Sequence, residues 1–329
     1  MPPQDTESPA SPEDPIVAPG VRPIHKYAGL VLIFLLFIAS AWFTATFLSD
    51  SPGPIQQVAA AAIPDPFDSV MIEAESAYVL DLKTGRVLFS KNADAQLPLA
   101  SLTKVALVLA VRDALADTSL LIPEHVTPDG APIRLPSQWR FDAKDVMDFT
   151  LVASSNEGAE ILASAARESV RLRYPQASPL QPVLWRMNDI AQNLGLAHTY
   201  FLNVTGLDLS ATQAGAYGSA HDMALLFGHA ASTSAHTFEP TTKDELQIRA
   251  LSGQLVTAEN TDSALPVIPG MIVGKTGYTD LAGGNLAVVF EIGPAHPIAA
   301  VVLRSTQEGR FSDIEKLITK AQEAIALGH

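Results

Sequence analysis

The sequence predicts an α+β domain behind a single apolar helix, and three observations predict it. Short β-branched and aromatic runs occur at both ends of the region after residue 69. Helical runs fill its middle, and one long uncharged stretch precedes the whole. Strands at both termini with helices between them fit a fold whose terminal strands meet in one sheet. No internal repeat is present.

Residues 1–26 are rich in proline and polar residues and have no apolar period, as expected of a disordered tail. Tyr27–Leu48 carries no charge, and at about 1.5 Å per residue it is long enough for a hydrocarbon layer of roughly 30 Å. Arg22, His25 and Lys26 precede it and Asp50 follows, so the positive-inside rule puts the tail in the cytoplasm and the rest outside. The expectation is a single-pass membrane protein with a periplasmic or extracellular domain. The rival is a cleaved signal peptide, for which Ala59–Ala62 offers small residues. A signal h-region is shorter, about 7–15 residues, and starts earlier, so a retained anchor is preferred. Residues 49–68 read as a linker, and 69–329 as the folded domain.

Within that domain Ala77–Asp81 and Arg86–Ser90 are strands, joined at Leu82–Gly85 in a hairpin with glycine at the turn. Lys104–Leu115 is apolar almost throughout and suits a buried helix. Val146–Ala166 is helical with a polar break at Ser154–Gly158. Val183–Leu194 is a further helix, and Ser219 can cap another running to Ala230. Met271–Tyr278, Leu286–Ile292 and Ile298–Arg304 are strands. Ser312–Leu327 is a closing amphipathic helix that packs back on the sheet.

Of the 329 residues 47% are hydrophobic and 17% charged, enough for a sizeable core. A formal net charge of -14 argues against a nucleic-acid surface. The absence of cysteine removes thiol nucleophiles, disulfides and cysteine metal sites. The eight histidines show no metal-ligand spacing. His221-Asp222 reads as a cap or surface pair, and Trp139, Trp185 and Tyr217 as core or cleft edge.

Three short motifs carry chemistry. Ser101 and Lys104 lie one helical turn apart, so the amine can reach the alcohol, which needs a base to become a nucleophile. Burial by Val105–Ala110 favours an uncharged lysine. Alone, the spacing also suits a helix cap followed by a solvated lysine. Ser154-Ser155-Asn156 interrupts an apolar helical stretch, where unpartnered polar residues are costly; alone it also suits a surface loop. Lys275-Thr276-Gly277-Tyr278 lies on a strand, where glycine marks a close approach and a lysine with a threonine can bind a carboxylate. The same tripeptide at Lys83-Thr84-Gly85 sits between two strands before Ser101 and reads as a plain turn.

Together and in this order the motifs are the serine–lysine, serine–x–asparagine and lysine–threonine–glycine set of β-lactamases and penicillin-binding proteins. From about Ala74 onward the chain resembles the low-molecular-mass penicillin-binding proteins, the D-alanyl-D-alanine carboxypeptidases of the S11 serine peptidase family. Ala77–Leu88, Pro98–Lys104, Phe201–Asp208 and Lys275–Leu286 are the stretches that are similar. The resemblance implies a serine β-lactamase/DD-peptidase-like fold, an antiparallel sheet of about five strands with flanking helices and a mostly helical subdomain. It implies that Ser101 is acylated by the penultimate D-alanine of a peptidoglycan stem peptide and that Lys104 takes its proton. Ser154 would relay that proton, and Asn156 would hold the base and a substrate amide. Lys275 and Thr276 would bind the terminal carboxylate, with the N–H groups of Ser101 and Tyr278 as oxyanion hole. No cofactor is needed, and β-lactam antibiotics would be covalent inhibitors.

Some residues depart from the family pattern. Ser155 and Glu157 stand where a small residue and an aspartate are usual, at the expected edge of the cleft. Val105–Leu107 replaces a bulkier run. Neither the family's C-terminal β-rich domain nor its amphipathic membrane helix is evident, so anchoring is expected at the N-terminus. A class A-like β-lactamase would need a deacylating glutamate between the second and third motifs, and Glu168 lacks that family's pattern. A non-catalytic module gripping cell-wall peptides is the alternative from another class, and the complete motifs favour the enzyme.

Overall fold

The computed structural model describes residues 28–47, 65–124 and 134–328. The predicted tail and most of the linker lie outside them. The chain divides into two compact units, at Ala62/Ile63.

In the first unit the expected span is a single helix, α1 (Ala28–Phe47), of 20 residues without a charge. Its large side chains from Leu30 to Ile38, and Trp42 and Phe43, are exposed. Among the described residues no helix is long and apolar enough to cross a membrane.

The second unit begins with a hairpin, β1 (Ser76–Asp81) and β2 (Val87–Lys91), then β3 (Leu97–Pro98) and α2 (Thr103–Val111). β4 (Ser119–Leu121), β5 (Arg140–Asp142), α3 (Ala143–Val152), α4 (Asn156–Arg173) and α5 (Pro182–Asn193) follow. Then come β6 (Tyr200–Phe201), β7 (Ala216–Gly218), α6 (Ala220–Phe238) and the hairpin β8 (Glu245–Arg249) and β9 (Leu255–Glu259). β10 (Met271–Thr279), β11 (Gly283–Glu291), β12 (Pro297–Ser305) and α7 (Gly309–Ala326) complete it.

The main sheet is antiparallel, in the order β10-β11-β12-β1-β2. The two chain ends therefore do meet in one five-stranded sheet. Its inner strands β1, β11 and β12 bury both faces, while the edge strand β2 is exposed or half-buried, and the period of two divides their side chains. Ala77, Val79, Leu286, Val288, Phe290, Ile298, Ala300 and Val302 form one core with Ile314, Leu317 and Ala321 of α7. Tyr78, Leu80, Ala287, Val289, Ala299 and Val301 face the helices α2 to α6 in a larger core. Asp313 ties α7 to the domain's start: its carboxylate accepts from Glu73 and Ala74 N–H and from Ser305 Oγ. Phe67 is already packed against Phe89, ahead of the predicted start at 69.

The sequence places the hairpin turn correctly. Asp81 Oδ1 accepts from Lys83 and Thr84 N–H, and Gly85 has φ 75°, so this first Lys-Thr-Gly is a turn. α2 stops at Val111 rather than Leu115, and α6 continues to Phe238 through a non-helical residue, Ser234. Ser219 caps α6 as expected, accepting from Asp222 N–H.

Candidate active site

The nucleophile turn is built against the chain's usual preferences. Leu99 N–H bonds Ala216 O at the end of β3. Ala100 then takes φ 48°, a left-handed conformation that costs a non-glycine residue on the order of 1–3 kcal/mol. Thr103 Oγ1 holds the bent carbonyl of Ala100 at 2.7 Å. Gly206, at φ 82°, packs on that same carbonyl, so a Cβ there would lie 1.9 Å from Ala100 O. These contacts present Ser101 on a short 3-10 turn (Ala100–Leu102) directly before α2.

Lys104, on the first turn of α2, is completely buried. Its Nζ lies 2.7 Å from Ser101 Oγ, 2.8 Å from Asn156 Oδ1 and 2.9 Å from Thr205 O. Three different elements converge on one amine. The geometry defines a proton path. A neutral amine has two N–H donors and one lone pair; Asn156 and Thr205 take the donors, which leaves the lone pair for the serine hydroxyl.

The polar break between α3 and α4 delivers Asn156 as the first residue of α4. Ser154 is half-buried at φ 55°, a second left-handed non-glycine residue; its hydroxyl is not among these three partners of Lys104. Ser155 and Glu157 differ from their expected place at the cleft edge. Ser155 caps α4, accepting from Gly158 N–H at 2.9 Å. Glu157 Oε2 accepts from Arg134 and Leu135 N–H; burial pushes its carboxyl up, and those two N–H groups pull it back. Ser155 is drawn inward by a donor left over at the α4 N-terminus, and Glu157 by two loop N–H groups that need an acceptor. Gly158 lets α3 and α4 approach, since a Cβ would sit 2.2 Å from Thr150 Oγ1.

β10 runs past the nucleophile turn. A Cβ on Gly277 would lie 2.9 Å from Leu99 O and 3.1 Å from Ser101 N. Only glycine lets the strand come this close, which brings the Ser101 and Tyr278 segments side by side. Lys275 is buried at 2% exposure, and its Nζ bonds Thr276 O at 2.9 Å and Thr276 Oγ1 at 3.4 Å. Burial drives its ammonium down to about 7; Asp262 opposes that shift and Arg310 adds to it. Thr276 Oγ1 is 2.6 Å from Thr261 Oγ1. Tyr278 is 47% exposed. Asn285, fully buried, donates to Pro98 O and accepts from Arg304 N–H, locking β3 to the sheet. Asp208 accepts from Thr279 Oγ1 and Leu281 N–H, which pins the 201–208 segment to the β10–β11 turn.

All eight predicted site residues thus lie on the three segments that converge here. The family of D-alanyl-D-alanine carboxypeptidases known as peptidase S11 matches residues 59–307. The chain belongs to that family. A D-alanyl-D-alanine carboxypeptidase of Bacillus subtilis, DacF, is 29% identical over 258 residues, covering 75% of this chain and 61% of that protein. The chain thus spans less than two thirds of that relative's length. A D-alanyl-D-alanine endopeptidase of Escherichia coli is 25% identical, covering 84% of this chain and 86% of the other. Among solved structures, ampicillin-bound penicillin-binding protein D2 of Listeria monocytogenes is 27% identical with a TM-score of 0.63, covering 76% of this chain and 98% of that one.

Several residues around this site were missed from the sequence. Thr205 acts through its carbonyl, which no side-chain pattern reveals. Thr261, Asp262 and Arg310 are single polar residues in ordinary surroundings; Arg310 Nη1 donates to Gly277 O at 3.1 Å. Glu160, one turn beyond Asn156 on α4, has its carboxyl pushed up by burial and drawn back by Lys104. It lines a cavity of about 270 Å³ with Arg167 and Asn203, which holds none of the motif residues.

Proposed function

We propose that the chain is a serine-type D-Ala-D-Ala carboxypeptidase that trims peptidoglycan stem peptides. The observation that carries the reading is the Ser101–Lys104 contact of 2.7 Å beside a buried Lys275–Thr276 pair. A carboxypeptidase must bind a terminal carboxylate and attack the bond one residue inward. Lys275 and the Thr276 hydroxyl offer charge and a hydrogen bond to the carboxylate. Ser101 Oγ attacks the carbonyl carbon of the penultimate D-alanine, and its proton passes to Lys104 Nζ. The oxyanion is held by the N–H groups of Ser101 and Tyr278. The C–N bond breaks as the leaving amine of D-alanine takes a proton, through Ser154. Water then attacks the ester, and the shortened peptide leaves with Ser101 restored. Asn156 keeps Lys104 in place and contacts the substrate amide. β-Lactams carry an equivalent carboxylate and would acylate Ser101 in the same way.

α1 is proposed to anchor the enzyme in the cell membrane, with residues 1–26 cytoplasmic and the catalytic unit outside. The uncharged sequence of Tyr27–Leu48 and its basic N-terminal flank support this.

Labelling by a fluorescent penicillin tests the chemistry, with Ser101→Ala as control. Wild type should be labelled and should release D-alanine from a pentapeptide, while the variant should do neither. Absence of both from wild type would refute the enzyme reading. Product analysis on a defined muropeptide separates terminal D-alanine release from cross-link cleavage.

A further inference from the structure

Behind the carboxylate-binding pair lies a buried charge cluster that the mechanism leaves unused. Asp262 is 6% exposed and Arg310 7%. Asp262 Oδ1 accepts from Ala264 N–H, but Asp262 Oδ2 and Arg310 Nε are buried without a hydrogen-bond partner. Such atoms are rare because each forfeits its hydration. Asp262 follows Thr261, whose hydroxyl touches Thr276, so its backbone lies next to the strand that bears Lys275. Lys275 itself spends its hydrogen bonds on Thr276 alone. An ammonium this deeply buried tends to lose its proton, and then it cannot pair with a carboxylate.

We propose that Asp262 is a positioning residue for Lys275: a buried carboxylate that keeps the lysine charged and so keeps carboxylate binding engaged at neutral pH. The inference rests on the carboxypeptidase reading for its consequence, though not for its electrostatics. Asp262 and Arg310 are the charges that act on Lys275, with opposite signs. Burial pushes the Asp262 carboxyl up, and Ala264 N–H, Lys275 and Arg310 draw it back; Arg310 in turn feels Glu308, Asp262 and Tyr278. On α6, which packs on β10, Asp222 is engaged by His198 N–H and Thr199 Oγ1, and His229 feels Arg112. Beside β10 the turn Glu239–Thr242 carries Glu239, which pairs with Lys243. On β11 the only ionisable side chain is Glu291, at the exposed far end. None of these replaces Asp262.

The test is a double-mutant cycle in the full chain, read by urea unfolding from pH 5.5 to 9.5. The stability difference between wild type and Lys275→Met reports the lysine's titration, and should change slope near pH 7. In the Asp262→Asn background the same difference should change slope about one pH unit lower. Steady-state release of D-alanine supplies the second readout. Asp262→Asn should raise KM at pH 7 by about fivefold to tenfold, leave KM at pH 5.5 near wild type, and change kcat little, because each pKa unit is up to a factor of ten in charged lysine. Asp262→Glu should restore the wild-type profile. If Asp262→Asn does not fold, Asp262→Ser takes its place. An unmoved slope position, or a KM rise equal at all pH values, overturns the inference. Absence of turnover in wild type with a shifted slope would instead refute the carboxypeptidase reading and leave the electrostatic role supported.

Discussion

Asn156→Asp isolates what holds the proposed base. The substitution keeps the oxygen that lies 2.8 Å from Lys104 Nζ and adds a full negative charge there. Two unit charges at that distance attract by about 6 kcal/mol at an effective dielectric of about 20. Asn156 is half-buried, and at an effective dielectric of about 40, between that value and water, the attraction is about 3 kcal/mol. An attraction of about 3–6 kcal/mol stabilises the ammonium by about two to four pKa units. Acylation needs the neutral amine, so its rate at pH 7 should fall by about a hundredfold to ten-thousandfold. The assay is the time course of labelling by a fluorescent penicillin from pH 6 to 10. The variant should regain about tenfold per pH unit until Lys104 is again neutral. Its thermal midpoint should equal or exceed that of wild type, since the new pair is attractive. A pH-independent loss would mean that Asn156 acts only through its amide N–H on the substrate. A rate within threefold of wild type at pH 7, an allowance of about 0.7 kcal/mol, would refute Lys104 as the base.

Other substitutions follow the same geometry. Gly277→Ala sets a methyl 2.9 Å from Leu99 O and 3.1 Å from Ser101 N; backbone must move on one side or the other, and acylation should fall by about tenfold to a hundredfold together with a lower melting midpoint. Gly206→Ala meets Ala100 O at 1.9 Å at a positive φ and should cost more than about 2 kcal/mol in urea unfolding. Thr261→Val removes the hydroxyl that fixes Thr276; KM for a carboxylate-terminated peptide should rise several-fold while kcat holds. Between pH 7 and 10.5 the folded chain binds fewer protons at Lys275 than the unfolded chain does. The stability due to that residue should therefore rise with pH by up to about 1.4 kcal/mol per unit, and Lys275→Met should abolish the rise. A reporter fused after Leu48 should be active only outside the cytoplasm, and activity inside would overturn the proposed orientation.

The hairpin, the three closing strands and α7 were legible because strands buried on one or both faces impose period-two or continuous apolar runs, and helices impose their own period. Element ends were less legible: α2 stops four residues earlier than its apolar run suggested, since that run is equally suited to the loop packed in the core. Ser101, Lys104, Asn156 and the second Lys-Thr-Gly could be read because their side chains carry the chemistry in a fixed order. The sequence alone determined the reactive groups, the uncharged N-terminal stretch and the order of strands and helices. The tertiary structure alone decided which partners those groups meet. Thr205 contributes a carbonyl, Gly206 and Gly277 contribute room, and Asp262 and Arg310 contribute charge from chain positions remote from the motifs. Such contributions depend on distance and burial in space, and a linear pattern records neither.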